Sequence, residues 1–174
     1  NGYYVWGGQL EQGSYATSYI PTSGSTVTRN QDQFTRDGIG SLINSEEGVL
    51  FLESSVLSND GTYKAFSLSD GTTSNTIRFY TTPTLNQLAI RVTVAGSNEF
   101  NVVFTLTDLT ALNKMALKYK ANDFAFWVNG VEVKATTSGI TYTANTLNSL
   151  RFDRGDGVDI FFGKVKQLQV YKTA

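Results

Sequence analysis

The sequence is expected to fold as an all-β antiparallel sandwich, and three observations point there. Turn signals recur along the chain: Ser23-Gly24, Asp37-Gly38, Asn59-Asp60-Gly61, Asp70-Gly71, Gly96-Ser97-Asn98, Asn129-Gly130, Ser138-Gly139 and the run from Asp153 to Asp159. Between them lie short β-rich runs, the pattern of an antiparallel sandwich rather than of an α/β protein. Residues 113–134 then read as two alternating strands ending in a hairpin turn. Met115, Leu117 and Tyr119 alternate with Ala116, Lys118 and Lys120, and Phe124, Phe126 and Val128 alternate with Ala125, Trp127 and Asn129. Each strand so has one apolar and one mixed face. Asn129-Gly130 supplies two residues that tolerate positive φ in a type I′ turn, and Val131 and Val133 resume the period on the return strand.

In chain order, strands are expected near 3–10, 26–35, 48–57, 63–69, 76–82, 87–95, 100–107, 114–120, 124–129, 131–136, 148–153 and 163–172. Only Thr107-Asp108-Leu109-Thr110-Ala111-Leu112 suggests a helical turn, with Thr107 or Asp108 as its cap. At 174 residues the chain can bury one full core and is too short for two ordinary sandwiches, so a single domain over 1–174 is expected. The first residues are ambiguous: Tyr3, Val5 and Leu10 form either an edge strand of this sandwich or, over 1–14, the remnant of an upstream module. The edge strand is preferred, because an orphan strand exposing Tyr3, Tyr4 and Trp6 would invite aggregation.

Lys plus Arg number 14 against 15 Asp plus Glu, a net charge of −1, so no broad electrostatic attraction to nucleic acid or anionic membrane is available. No window approaches the roughly 20 apolar residues of a bilayer span, so membrane insertion is not expected. The start Asn-Gly-Tyr-Tyr-Val-Trp lacks a basic n-region and a cleavage site, which suits a soluble piece of a longer protein. The sequence has no cysteine, which removes disulfides and thiolate chemistry, and no histidine, which removes Ser-His-Asp triads, His-based zinc sites and a general base of near-neutral pKa.

The hairpin region, together with Phe161-Phe162-Gly163-Lys164-Val165-Lys166-Gln167-Leu168-Gln169-Val170-Tyr171, resembles the C-terminal half of laminin-G-like, concanavalin A-like jelly-roll domains. There a strand ends in aromatic-Val-Asn-Gly, and the last strand rises out of a Phe-x-Gly-x-Ile/Val segment. The stretch Trp6-Gly-Gly-Gln-Leu-Glu-Gln-Gly-Ser-Tyr-Ala-Thr-Ser-Tyr-Ile-Pro-Thr-Ser-Gly-Ser-Thr-Val-Thr-Arg29 resembles a junction in phage tail and secreted glycan-active proteins, where one carbohydrate-binding sandwich closes and a concanavalin A-like one opens. The resemblance implies a two-sheet antiparallel jelly roll, linked to other domains in an extracellular or virion-associated parent.

Glycoside hydrolysis needs two carboxylates about 5–9 Å apart. Glu46 and Glu47 are adjacent and point to opposite faces, Glu53 is isolated in its strand, and the Glu-x-Asp-x-x-Glu arrangement of laminarinase-like relatives is missing. The chain is therefore not expected to be an enzyme, although it can be part of one. Asp153, Asp156 and Asp159, or Asp70 with Asn75, read as solvated turns or as ligands of a structural calcium. No cofactor is assigned.

The polar sheet face is the strongest lead. With Ile77 and Phe79 facing the core, Arg78 and Tyr80 do not; with Leu88, Ile90, Val92 and Val94 facing the core, Arg91 does not. The same alternation puts Asn101, Lys118 and Trp127 on non-core sides. If these strands neighbour one another, as sequential strands often do, one face carries Trp127, Arg78, Tyr80, Arg91, Lys118 and Asn101. An aromatic ring offers an apolar face to a pyranose, while Arg, Lys and Asn bind its hydroxyls or acidic groups. Two alternatives stay open: Trp127 covered by a loop, and Arg78 or Arg91 paired with Glu53 or Glu99. Phe51, Phe66, Phe79, Phe104, Phe124, Phe126, Phe152, Phe162 and Trp6 are expected in the core. The functional expectation is a non-catalytic carbohydrate-binding module that recognises a polysaccharide or surface glycan on a concave sheet. The alternatives are a structural module of a tail or secreted protein and, less favoured, a hydrolase or lyase of the same fold.

Overall fold

A computed structural model describes residues 2–4, 7–11, 18–28 and 33–174. The chain divides into two compact units, Asn1–Asp32 and Gln33–Ala174. In the first unit no described residue belongs to a helix or strand, and the Gln9 side chain accepts from the Ile20 N–H at 2.7 Å. The strands expected near 3–10 and 26–35 are thereby corrected as far as they are described: Tyr3, Tyr4 and Leu10 are fully exposed, and among the described residues strand pairing begins at Thr35. Alternation makes a strand only where a neighbour takes up its N–H and C=O groups. Val5, Trp6 and Arg29 lie outside the described residues.

The second unit carries, among the described residues, eleven strands: β1 (Thr35–Asp37), β2 (Glu47–Val56), β3 (Ala65–Ser69), β4 (Thr76–Thr81), β5 (Gln87–Val94), β6 (Ser97–Thr105), β7 (Asn113–Lys120), β8 (Phe124–Val128), β9 (Val131–Thr136), β10 (Ser149–Arg151) and β11 (Gly163–Tyr171). They form a six-stranded sheet in the order β1-β10-β3-β4-β5-β6 and a five-stranded sheet in the order β11-β2-β7-β8-β9. All named pairings are antiparallel. From β2 onward each expected strand is present within a few residues of its expected bounds.

Two local expectations fail for identifiable reasons. The helical turn at 107–112 does not form, because the Asp108 carboxylate accepts from both the N–H and the hydroxyl of Thr110 while Asn113 Nδ2 donates to the Asp108 and Ala111 carbonyls. Those groups are satisfied locally, so no helix is needed to pair them. The β5–β6 turn sits at Ala95-Gly96, with φ of 48° and 84°, and Ser97 and Asn98 belong to β6. Neighbouring side chains and carbonyls hold it there: Ala95 N–H donates to Asn75 Oδ1 and Gly96 N–H to the Ser74 carbonyl, both at 2.9 Å. Asn129-Gly130 takes positive φ at both residues, as the hairpin reading requires.

The core lies between the sheets. Phe66, Leu68, Ile77, Phe79, Ile90 and Val92 come from the six-stranded sheet, and Leu50, Leu52, Met115, Leu117, Phe124 and Phe126 from the five-stranded one. Aromatic rings interlock across the gap: Phe126 lies 5.9 Å from Phe79 and 5.5 Å from Phe104, and Phe100 stacks on Phe124 at 5.7 Å. Such pairs contribute about 0.5–1.5 kcal/mol each beyond their buried area. Phe51 and Phe162 are not core residues. Phe51 alternates with the buried Leu50 and Leu52 and so faces outward, and Phe162 is exposed while Phe161 turns inward against Phe152. At the edge of β9, Lys134 covers the open side of the sandwich: its Nζ donates to the Asn101 carbonyl and lies over the Phe100 ring.

Candidate functional site on the six-stranded sheet

Register aligns one polar row across the outer face of the six-stranded sheet. Thr35 is opposite Arg151, Arg151 opposite Ser67, Ser67 opposite Arg78, Arg78 opposite Arg91, and Arg91 opposite Asn101. Tyr80 follows two residues after Arg78 on the same face, flanked by Ala65 and Ala89. These small neighbours leave room for the guanidinium groups to fold onto its ring. The Arg78 guanidinium carbon lies 4.6 Å from the ring centroid and that of Arg91 5.6 Å.

The row is only partly exposed. Arg78, Tyr80 and Arg91 are half-buried, Ser67 and Thr76 are buried, and Asn101 at the edge is exposed. Arg78 Nε, Arg91 Nε, Ser67 Oγ and Thr76 Oγ1 are all hidden from solvent without a hydrogen-bond partner among the described residues. A loop between β10 and β11 rims the site. Its Asp159 carbonyl accepts from Ala65 N–H at 2.7 Å, and a side chain at Gly155, where φ is +112°, would press on the Thr72 carbonyl and on Ser69 Cβ. Burial lowers the Arg78 pKa below its ordinary value; Tyr80 and Asp159 oppose that shift, and the like charges of Arg91 and Arg154 add to it.

The expected single face of six residues does not form. Arg78, Tyr80, Arg91 and Asn101 are brought together on β4, β5 and β6, whereas Lys118 and Trp127 sit on β7 and β8 of the other sheet, on the opposite surface of the sandwich. The reason is the β6–β7 connection. Adjacent strands β5–β6 and β8–β9 are joined by two-residue turns, but residues 106–112 cross between the sheets, anchored by the buried Leu106 and Leu109. Trp127 does point away from the core, as the alternation requires; it is half-buried between Ala116 and Glu132. Lys118 is bound in an ion pair with Asp123.

The acids expected to compete for the arginines are engaged elsewhere. Glu53 pairs with Lys166 at 3.0 Å, and Glu99 Oε2 accepts from Ile140 N–H at 3.0 Å. In the Asp-rich loop, Asp153 accepts from Gly155 N–H, and Asp156 takes two hydrogen bonds from Arg154, at 3.1 and 2.7 Å. Asp159 lies 3.6 Å from the same guanidinium. Asp70 accepts from Thr72 and from Asn75 Nδ2, a self-contained turn. Among the described residues no three carboxylates converge as a cation site would require. Sequence reasoning missed Ser67 and Thr76, whose alternation with Phe66, Leu68 and Ile77 was the available signal.

No protein-family model matches the chain, and no curated protein matches it. Solved structures do match. Ruminococcus gnavus IT-sialidase CBM40 bound to alpha2,3 sialyllactose superposes with a TM-score of 0.59 at 16% identity, covering 75% of this chain and 78% of that one. A Bacillus licheniformis beta-glucanase gives 0.56 at 14% identity, over 75% and 68%. The fold is a concanavalin A-like jelly roll. The leech intramolecular trans-sialidase gives 0.60 at 15% identity and covers 82% of this chain, which spans only 26% of that enzyme.

Proposed function

We propose that this jelly roll is a non-catalytic carbohydrate-binding module, and that it holds a polysaccharide or cell-surface glycan on the outer face of its six-stranded sheet. Arg78, Tyr80, Arg91 and Asn101 are the proposed contacts, with Ser67 and Thr76 beneath them. The observation that carries this reading is the pair of half-buried, directly opposed guanidinium groups of Arg78 and Arg91, folded onto the Tyr80 ring with no anionic partner among the described residues. Guanidinium groups on a half-buried face, with no carboxylate to pair with, can donate charge-assisted hydrogen bonds to the oxygens of a polar ligand. Sugars present such oxygens in a dense array beside apolar C–H patches suited to an aromatic ring. That the similar CBM40 is bound to sialyllactose supports the assignment.

A binding rather than hydrolytic role is supported by the state of the acids around the site. Asp37 is tied to Arg151 and Ser149, Asp156 and Asp159 to Arg154, and Asp153 to a backbone N–H. The parent protein is proposed to be extracellular or virion-associated, with this module tethering it to its glycan. Trp127 and Lys118, on the other surface, are outside the proposed contact set.

A glycan array and affinity electrophoresis on the full chain test the reading. The protein should be retarded selectively by at least one glycan. Arg78→Ala and Arg91→Ala should lose that retardation while remaining folded, and Trp127→Ala should keep it. No retardation across a broad panel, or loss with Trp127→Ala but not with the arginine variants, would overturn it.

A further inference from the structure

We infer that the ligand of this face is an acidic sugar, whose oxyanion, carboxylate or sulfate, is held jointly by Arg78 and Arg91. The inference rests on the glycan-binding reading and adds the charge of the ligand. Its starting point is a comparison among the cations of the chain. Each of the other buried or half-buried cations has an anionic partner: Lys64 pairs with Asp60, Lys118 with Asp123, Arg151 with Asp37, and Arg154 with Asp156 and Asp159. Arg78 and Arg91 are the two without one among the described residues.

Their placement makes the lack costly. They are directly opposed on adjacent strands, a position where like charges destabilise a sheet. They also converge on one ring, so the field at Tyr80 is that of two cations rather than one. The rim carboxylate of Asp159 is engaged by Arg154 and forms no ion pair with Arg78. A neutral sugar could accept the hydrogen bonds but would leave both charges uncompensated in a partly desolvated row. An oxyanion does both: it accepts charge-assisted bonds from two guanidinium forks and neutralises the repulsion between them.

The surrounding row then orients the rest of the sugar. Strands are about 4.8 Å apart, so Ser67 lies one strand from Arg78 on the side away from Arg91, and Asn101 one strand beyond Arg91. An anionic group over β4 and β5 would have neutral hydroxyls of the same ring within reach of the exposed Asn101.

Two measurements test this. In proton–nitrogen spectra that resolve arginine Nε–H groups, glucuronate or glucose 6-sulfate should shift the Arg78 and Arg91 signals saturably, whereas glucose should not; the two anions separate carboxylate from sulfate preference. On the array, each acidic ligand should bind at least ~10-fold more tightly than its carboxyl-reduced or desulfated counterpart, as expected for loss of a charge-assisted pair. Arg78→Lys should recover part of the binding that Arg78→Met loses, because it keeps charge but not the fork. Arginine-dependent retardation by neutral glycans alone, or equal affinity for acidic and neutralised partners, would overturn the acidic assignment and leave the binding reading standing. Absence of binding to every glycan would overturn both.

Discussion

Replacing Arg78 with methionine should make the unliganded protein more stable. The hidden Arg78 Nε, which lacks an acceptor, costs about 1–3 kcal/mol as an unmet donor. Because the Arg78 and Arg91 guanidinium carbons lie 4.6 and 5.6 Å from one ring centroid, they are at most about 10 Å apart, and at an effective dielectric of roughly 20–80 their repulsion is about 0.4–1.7 kcal/mol. Against this stands the lost cation–π contact with Tyr80, about 0.5–2 kcal/mol. Methionine retains most of the apolar stem that packs on the sheet. The balance favours the variant by about 1 kcal/mol, or a rise in Tm of roughly 2–4 °C for a unit of this size. Calorimetric melts of wild type, Arg78→Met and Arg151→Met decide it, with part of the gain shrinking as salt screens the repulsion. Arg151 is the control: its Nε donates to Ser149 Oγ at 2.9 Å and it pairs with Asp37, so its loss should lower Tm. A fall of several degrees for Arg78→Met would refute the view that this row is held at a cost in stability for the sake of a ligand.

Two further perturbations probe the frame that holds the site. Gly48→Ala would drive a methyl group into the Tyr171 carbonyl on β11 and to within 2.7 Å of the Tyr119 hydroxyl, so β2 cannot keep both neighbours; we expect a loss of about 1–3 kcal/mol in a denaturant titration, not rescued by adding Tyr119→Phe, and an unchanged midpoint would contradict the crowding. Asp60 is held well below the usual carboxylate range, first by the hydrogen bond from Lys64 and then by those from Ser58 and Thr62. A depressed folded pKa gives stability that is present above the unfolded value, near pH 4, and is lost as pH falls toward the folded one. Asp60→Asn should therefore lower Tm at pH 7, leaving the buried Lys64 without its anion, and the gap from wild type should narrow as melts are taken from pH 4 downward. A gap that stays constant over that range would count against the assignment.

Alternation by itself determined which side of each strand is apolar. Phe124, Phe126 and Val128 against Trp127, or Ile77 and Phe79 against Arg78, needed no knowledge of the fold, because successive side chains of a strand point to opposite faces. Asn129-Gly130 likewise declared its hairpin, since its residues accept the positive φ that the turn requires. The absence of histidine and cysteine limits the available chemistry whatever fold the chain adopts. Which outward faces belong together is a different kind of fact. It depends on which strands pair, and that is settled by long-range packing: Leu106 and Leu109 bury themselves between the sheets, carry the chain from β6 to β7, and so separate Trp127 and Lys118 from the arginines. Local pattern also could not reveal that Glu53 and Glu99 are occupied by Lys166 and the Ile140 N–H, partners 113 and 41 residues away. Only the tertiary structure could leave Arg78 and Arg91 facing each other without a counter-ion among the described residues, because an unmet charge is defined by every group that might have reached it.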